Sequence, residues 1–327
     1  MATPEIITAI AGAYTPGANA ASPLNVGGDG YITLIGCACL RAVAPLSFLL
    51  PCPMSEPSAS CLPSLVKKYL MAATGLVLAL FVLGHMLGNL QIFAAAPGPI
   101  NHYANFLQSL GEILWAVRLF LLACVVVHVW MAILLTLENR RARPVGYQQD
   151  ATVQASYASR TMIWSGLIVL AFIVFHLAHY TLQVVHPIFQ SLEYADNGRR
   201  MHDVFAMVLV GFSYPAVAGF YVLAIGLLCV HLSHGVSSMF QSLGVRNEKW
   251  RYRLNGIARA YALIIFLGFV AVPLAVQWSL HSSRETLPVR EVLAQIQKAD
   301  AGWDPARPTP VEVDYNFPPS GATAAKP

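Results

Sequence analysis

The sequence predicts an all-α integral membrane protein with five transmembrane helices, and three observations carry that expectation. Of the 327 residues, 56% are hydrophobic and only 11% are charged, against about 45–50% apolar and about 25% charged in an ordinary soluble domain. Five apolar stretches reach the roughly 20 residues that a bilayer crossing requires. The basic residues gather in alternate connections between those stretches. So little charge cannot cover the surface of a water-soluble globule, which excludes an ordinary cytosolic enzyme, a disordered chain and a nucleic-acid binder. Six cysteines are too sparse for a disulfide scaffold.

The apolar stretches are Lys68–Phe93, Gly111–Leu137, Thr161–Val185, Val204–Phe240 and Ala258–Leu280. In hydrocarbon every backbone N–H and C=O must be paired within the segment, so each is expected to be a helix. The fourth is over-long, and Pro215 is expected either to kink it or to mark its true start. Orientation follows from the charges. Lys67 and Lys68 precede the first helix; Arg140, Arg141, Arg143 and Arg160 follow the second; Arg246, Lys249, Arg251, Arg253 and Arg259 follow the fourth. The intervening connections carry only Arg199 and Arg200. The positive-inside rule therefore puts the side preceding helix one in the cytoplasm and the tail after helix five outside an inner, multi-pass cell membrane.

Three regions are expected. Residues 1–63 form an N-terminal extension, with Met54 as an alternative start and the apolar stretch Tyr31–Leu50 as a sixth span or signal-like segment. Cys37, Cys39, Cys52 and Cys61 lie in this extension and are read as unrelated thiols. Residues 64–282 form the membrane domain. Residues 283–327 form a polar, Pro-rich tail with a short helix around Val289–Lys298 and no assigned chemistry.

An ionisable side chain inside a membrane is costly and points to function. His85, His128, His176 and His231 each sit in an apolar helix. They lie 17, 17, 16 and 16 residues past Lys68, Gly111, Arg160 and Pro215 respectively. Each is therefore about 25 Å into its helix at 1.5 Å per residue. Successive helices run in opposite directions, so His85 and His176 share an outer level and His128 and His231 a cytoplasmic one. Four of the five helices thus make a bundle with two imidazole pairs, and facing helices of a bundle are where such cofactor sites are built. Two imidazoles with no Cys or carboxylate beside them suit neither zinc nor a carboxylate di-iron site. They suit six-coordinate haem b, with two haems in one bundle. Gly75, Gly84, Gly88, Gly166, Gly226 and Gly235 are candidates to make room for the macrocycles.

His179 and His234 stand three residues beyond His176 and His231, on the same helix faces, and remain alternates for the metal. His102, His186, His202 and His281 fall near the outer boundary. Polar residues at the outer ends of helices one and two, namely Asn89, Gln91, Asn101, His102, Tyr103 and Glu112, are candidates to line a quinone site and take its protons.

The residues also resemble a family. Lys67-Lys68-Tyr69-Leu70-Met71-Ala72-Ala73-Thr74-Gly75-Leu76, followed by Gly84-His85-Met86-Leu87-Gly88-Asn89-Leu90, is similar to the first helix of the di-haem cytochrome b subunit of succinate dehydrogenases and fumarate reductases. Asn101-His102-Tyr103-Ala104-Asn105-Phe106-Leu107 resembles the segment before its second helix. Tyr157-Ala158-Ser159-Arg160-Thr161-Met162, with Phe175-His176-Leu177, resembles its third. His231-Leu232-Ser233-His234-Gly235, with Ser238-Met239-Phe240-Gln241-Ser242-Leu243-Gly244, resembles its fourth. The likeness covers roughly residues 64–280; Val66 stands where the family commonly has glycine, and residues 1–53 lie outside the pattern.

The resemblance implies the single-chain anchor of a succinate:quinone oxidoreductase, with a flavoprotein subunit and an iron–sulfur subunit as partners and menaquinone or another quinone as substrate. It implies His85 and His176 on the iron of a distal haem, and His128 and His231 on that of a proximal one. Lys67, Lys68 and Arg160 are candidates for holding haem propionates or docking the iron–sulfur subunit. The competing readings are the di-haem anchor of a formate dehydrogenase or hydrogenase complex, and a haem-free membrane transport or structural protein.

Overall fold

In the computed structural model, the described residues are 62–94, 97–142, 161–245, 247–282, 286–305 and 307–317. The chain divides into Met1–Cys61 and Leu62–Pro327, and everything described belongs to the second unit. Met54, the Tyr31–Leu50 stretch, the four N-terminal cysteines, Arg143, Arg160 and Arg246 lie outside the described residues.

Five helices are long and apolar enough to cross a membrane, so the chain reads as a multi-pass membrane protein. They are α1 (Ser64–Asn89, extended by a 3-10 turn Leu90–Phe93), α3 (Glu112–Arg141), α4 (Met162–His176, extended by a π-helical turn Leu177–Thr181), α6 (Pro215–Ser242) and α7 (Glu248–His281). Three further helices are α2 (Gly98–Ser109), α5 (Val204–Ser213) and α8 (Val289–Asp300). Few side chains in the spans are buried. Leu80, Leu119, Val126, Trp164 and Leu223 stand exposed, as lipid-facing residues do.

The fourth span begins at Pro215 and not at Val204. Proline disfavours helical backbone in the residue before it, and Tyr214 is extended (φ −79°, ψ 113°). The chain breaks there into a ten-residue α5, too short to cross, and α6 with Pro215 in its first turn. Gly111, at φ +53°, sits in the left-handed turn that takes the chain from α2 into α3.

The expectation of an all-α chain is corrected by a small three-stranded sheet in the order β2-β1-β3, with β1 at Leu192–Asp196, β2 at Arg199–His202 and β3 at Val311–Glu312. β1 and β2 are antiparallel, with Glu193 opposite His202 and Asp196 opposite Arg199. Asn197 (φ 49°) and Gly198 (φ 76°) form the two-residue turn between them, the residue pair that such a hairpin favours. β3 pairs parallel to β1, Leu192 with Val311.

The two ends of the bundle are closed differently. At one end the fully buried Lys67 of α1 pairs with Glu138 near the end of α3, so the two helices are antiparallel. At the other, the sheet, α2, α5 and the tail form a layer. In α8 the buried residues Val289, Val292 and Ile296 recur at i, i+3 and i+7, the stripe of an amphipathic helix. They join Phe189, Leu192 and Leu209 in one core.

The fully buried Asp203 organises this layer. Its carboxylate caps α5 by accepting from Ala206 N–H at 3.0 Å, and it also accepts from Asn101 Nδ2 at 3.0 Å and Tyr315 Oη at 2.6 Å. Asn101 Oδ1 takes the Phe205 N–H at 3.0 Å. Burial pushes the Asp203 carboxyl above the usual range, against the pull of those three hydrogen bonds. Removing a helix cap and leaving buried donors unpaired each has a cost, so Asp203→Ala is expected to destabilise the layer by about 3 kcal/mol. Hydrogen exchange at the Phe205 and Ala206 amides measures it; exchange as slow as in the parent would show that the network is dispensable.

Candidate functional site: two imidazole pairs across the bundle

The four helix histidines meet two by two. His85 of α1 faces His176 of α4 with ring centres 5.8 Å apart, and His128 of α3 faces His231 of α6 at 6.4 Å. Both pairs are steeply inclined, at 79° and 66°. Two imidazoles binding one metal through nitrogens about 2.0–2.1 Å from it have ring centres roughly 6–6.5 Å apart. The observed separations are close to that figure.

The level of each pair can be read off the helices. The His128 ring lies against Gly75, where an added Cβ would stand 3.2 Å from Cε1. The His231 ring lies against Gly166 in the same way, at 3.3 Å. Gly75 precedes His85 by ten residues, and Gly166 precedes His176 by ten. The two pairs are therefore about 15 Å apart along the bundle. Of the other glycines proposed to make room, Gly84 and Gly235 have nothing within 4 Å of an added Cβ, Gly226 has only Phe266, and Gly88 receives the Tyr103 ring.

Each pair has its own surroundings. His128 Nδ1 is 3.1 Å from the Met71 carbonyl and 3.3 Å from Thr74 Oγ1. His231 Nδ1 is 3.3 Å from Ser165 Oγ. At the other level Phe81 stacks on His85 at 5.5 Å, Phe269 lies 5.7 Å from it, and Phe172 lies 5.9 Å from His176. Asn89 donates its amide to the His85 carbonyl at 2.8 Å, with that imidazole 3.4 Å away. Tyr221 Oη stands 3.3 Å from His176 Nδ1 and 3.1 Å from His179 Nδ1.

This last bridge separates the neighbours His176 and His179. A His176 that keeps Nε2 free for a metal carries its proton on Nδ1 and donates it to Tyr221 Oη; the tyrosine O–H then goes to His179 Nδ1. The fully buried His179 ring packs with Phe175, Tyr180, His186, Phe189 and Tyr221, whereas the ring that meets His85 is that of His176. The π-helical turn that carries His179 is a local widening of the kind that recurs at functional sites. On α6 the ring facing His128 is His231, with His234 one turn further on.

The polar residues proposed for a quinone site do not converge. Asn101 is taken up by Asp203 and Phe205. His102, largely exposed, bonds Asp196 at 2.9 Å. Tyr103 covers Gly88, Gln91 lies in the 3-10 turn after α1, and Glu112 is exposed in the first turn of α3. Asn89 alone of the six touches one of the paired histidines. Of the boundary histidines, His202 is bonded to Gln183 and the Leu192 carbonyl, and burial lowers its affinity for a proton; burial acts likewise on His186. Of the candidate basic residues, Lys67 is engaged with Glu138 and Lys68 is exposed beside it.

Met71, Thr74, Ser165 and Tyr221 escape the sequence reading. A signal for two of them exists: Thr74-Gly75 and Ser165-Gly166 each stand the same distance before a helix histidine. Among the described residues no three His, Cys, Asp or Glu side chains cluster as a metal site. No protein-family model, curated protein or solved structure matches this chain.

Proposed function

We propose that this chain is the membrane-anchor cytochrome b subunit of a succinate:quinone oxidoreductase, binding two b haems between an iron–sulfur subunit and a membrane quinone. The observation that carries the reading is the stacking of two imidazole pairs, 5.8 and 6.4 Å across, about 15 Å apart inside an apolar bundle. Ionisable groups so placed are expensive in lipid unless they serve a ligand. The four-part resemblance of residues 64–280 to the di-haem anchors adds the partners, a flavoprotein and an iron–sulfur subunit, and menaquinone as the quinone.

His85 and His176 would hold the haem distal to the iron–sulfur subunit, and His128 and His231 the proximal one. A bound haem b supplies reversible one-electron exchange at its iron. The chain itself orients the imidazoles through Met71, Thr74, Ser165 and Tyr221, and keeps water from the His85–His176 level with Phe81, Phe172 and Phe269. The Lys67 end faces the cytoplasm on the charge distribution, where exposed Lys68, Arg140 and Arg141 offer a basic rim to the iron–sulfur subunit. The Asp203 end then faces outward, with quinone chemistry nearest His85, His176 and Asn89.

A reduced-minus-oxidised spectrum of the purified membrane complex, taken with its subunit composition, tests the proposal. Two b-type centres per chain and a copurifying flavoprotein are expected. A molybdenum or nickel subunit in its place would move the chain to the formate dehydrogenase or hydrogenase anchors, and the absence of b-haem absorption would overturn the reading. A finer test uses the glycine seats. Gly75→Ala presses a methyl against the His128 ring and is expected to lower haem content at that level, while Gly219→Ala, where nothing lies within 4 Å, leaves it unchanged.

A further inference from the structure

α1 and α4 carry the same short pattern. In α1 it is Thr74-Gly75 followed after nine residues by His85; in α4 it is Ser165-Gly166 followed after nine residues by His176. Each helix supplies one histidine to the pair at the Asp203 end. One level away, each offers a hydroxyl and a bare glycine to the histidine of a neighbouring helix: α1 receives His128, and α4 receives His231. The pattern is thus a histidine seat used twice.

Each hydroxyl has a carbonyl acceptor on its own helix. Thr74 donates its O–H to the Leu70 carbonyl at 2.7 Å, and Ser165 donates to the Met162 carbonyl at 3.1 Å. With its proton given to its own helix, each oxygen is left to accept from the imidazole beside it. At His128 the Met71 carbonyl, 3.1 Å from Nδ1, makes that nitrogen the donor, and the same tautomer at His231 leaves its Nε2 lone pair free on the far side of the ring. The glycine lets the ring lie against the helix backbone while that bond is made.

We propose that Thr74 and Ser165 are positioning residues that fix the tautomer and orientation of His128 and His231 as metal ligands, the two halves of a repeated seat serving one haem and not the other. The inference rests on the di-haem reading above. The seats are unequal. His128 Nδ1–H is shared between Thr74 and the Met71 carbonyl, whereas Ser165 is the partner of His231 Nδ1 among the described residues. At the other level the corresponding neighbours are Tyr221 and Asn89, so a change in the seats acts on one centre.

The test compares Ser165→Ala and Thr74→Val with the parent in the full chain, purified with its partner subunits. Haem content and the midpoint potential of each b centre are measured, and His128→Ala identifies which centre is which. Loss of a ligand's supporting hydrogen bond typically costs 10–100-fold in metal affinity. Ser165→Ala is expected to weaken haem retention about tenfold at the His128–His231 centre. It is also expected to raise that centre's potential, because the Nδ1–H···O bond favours the oxidised metal by adding electron density to the ring. Thr74→Val acts in the same direction but less, since Met71 remains, and Ser165→Thr restores the parent values. The other centre keeps its potential in all three. If Ser165→Ala does not assemble, Thr74→Val carries the same comparison. Two b centres in the parent with neither potential moved by the variants, or a shift confined to the other centre, would overturn the seat alone. A parent with no b haem would overturn the reading beneath it.

Discussion

His128→Ala is expected to leave the purified complex with one b-type centre per chain instead of the two proposed for the parent, the surviving centre unchanged in spectrum and potential. Removing one of the two facing imidazoles leaves His231 opposite a small apolar side chain across a gap that was 6.4 Å between ring centres. The second pair lies about 15 Å away along the helices and has different neighbours: Phe81, Phe269, Tyr221 and Asn89 instead of Met71, Thr74 and Ser165. Changes more than about 7–10 Å apart with no shared partner act independently. Pyridine haemochrome content and low-temperature spectra read the result. Two haems in the variant would show that His128 holds none.

The second large effect concerns the doubled histidines. His231→Ala is expected to lose the same centre as His128→Ala, while His234→Ala keeps both haems. His176→Ala is expected to lose the other centre, while His179→Ala retains it with an altered potential. The basis for the first contrast is that the His231 ring meets His128 and has Ser165 on its Nδ1. The basis for the second is that His176 meets His85, whereas His179 reaches it only through the Tyr221 hydroxyl. An alanine at His179 strips a partner from Tyr221 and changes how that oxygen accepts from His176, which is a change of tuning and not of ligation. Loss of low-spin haem in His234→Ala with retention in His231→Ala would exchange the roles on α6; the mirror result at His176 and His179 would do the same on α4.

The spans were legible because a bilayer imposes a one-dimensional rule: roughly 20 apolar residues in a row, charges at the ends. Pro215 was legible for a similar reason, since its effect falls on the residue beside it. Equal depth along the helices is likewise linear arithmetic, and it brings His85 to His176 and His128 to His231 before any packing is known. The layer at the Asp203 end obeys no such rule. Asn101 finds Asp203 across 102 residues, and Tyr315 finds it across 112. Asn101 and His102 look like free polar groups in the sequence because their partners are distant. The Asn197-Gly198 hairpin carries a local turn signal, which the expectation of an all-α chain passed over. Ser165 and Thr74 show the reverse case: a hydroxyl in an apolar helix ordinarily bonds its own backbone, as both do, and only the structure shows that the same oxygen also faces an imidazole.

The meeting of three segments on the Asp203 carboxylate also bears on biogenesis. Asn101 is contributed before the second span is made, Asp203 before the fourth, and Tyr315 after the fifth. The hydrogen-bond network over that end of the bundle therefore cannot be complete until the residues beyond the fifth long helix have been made.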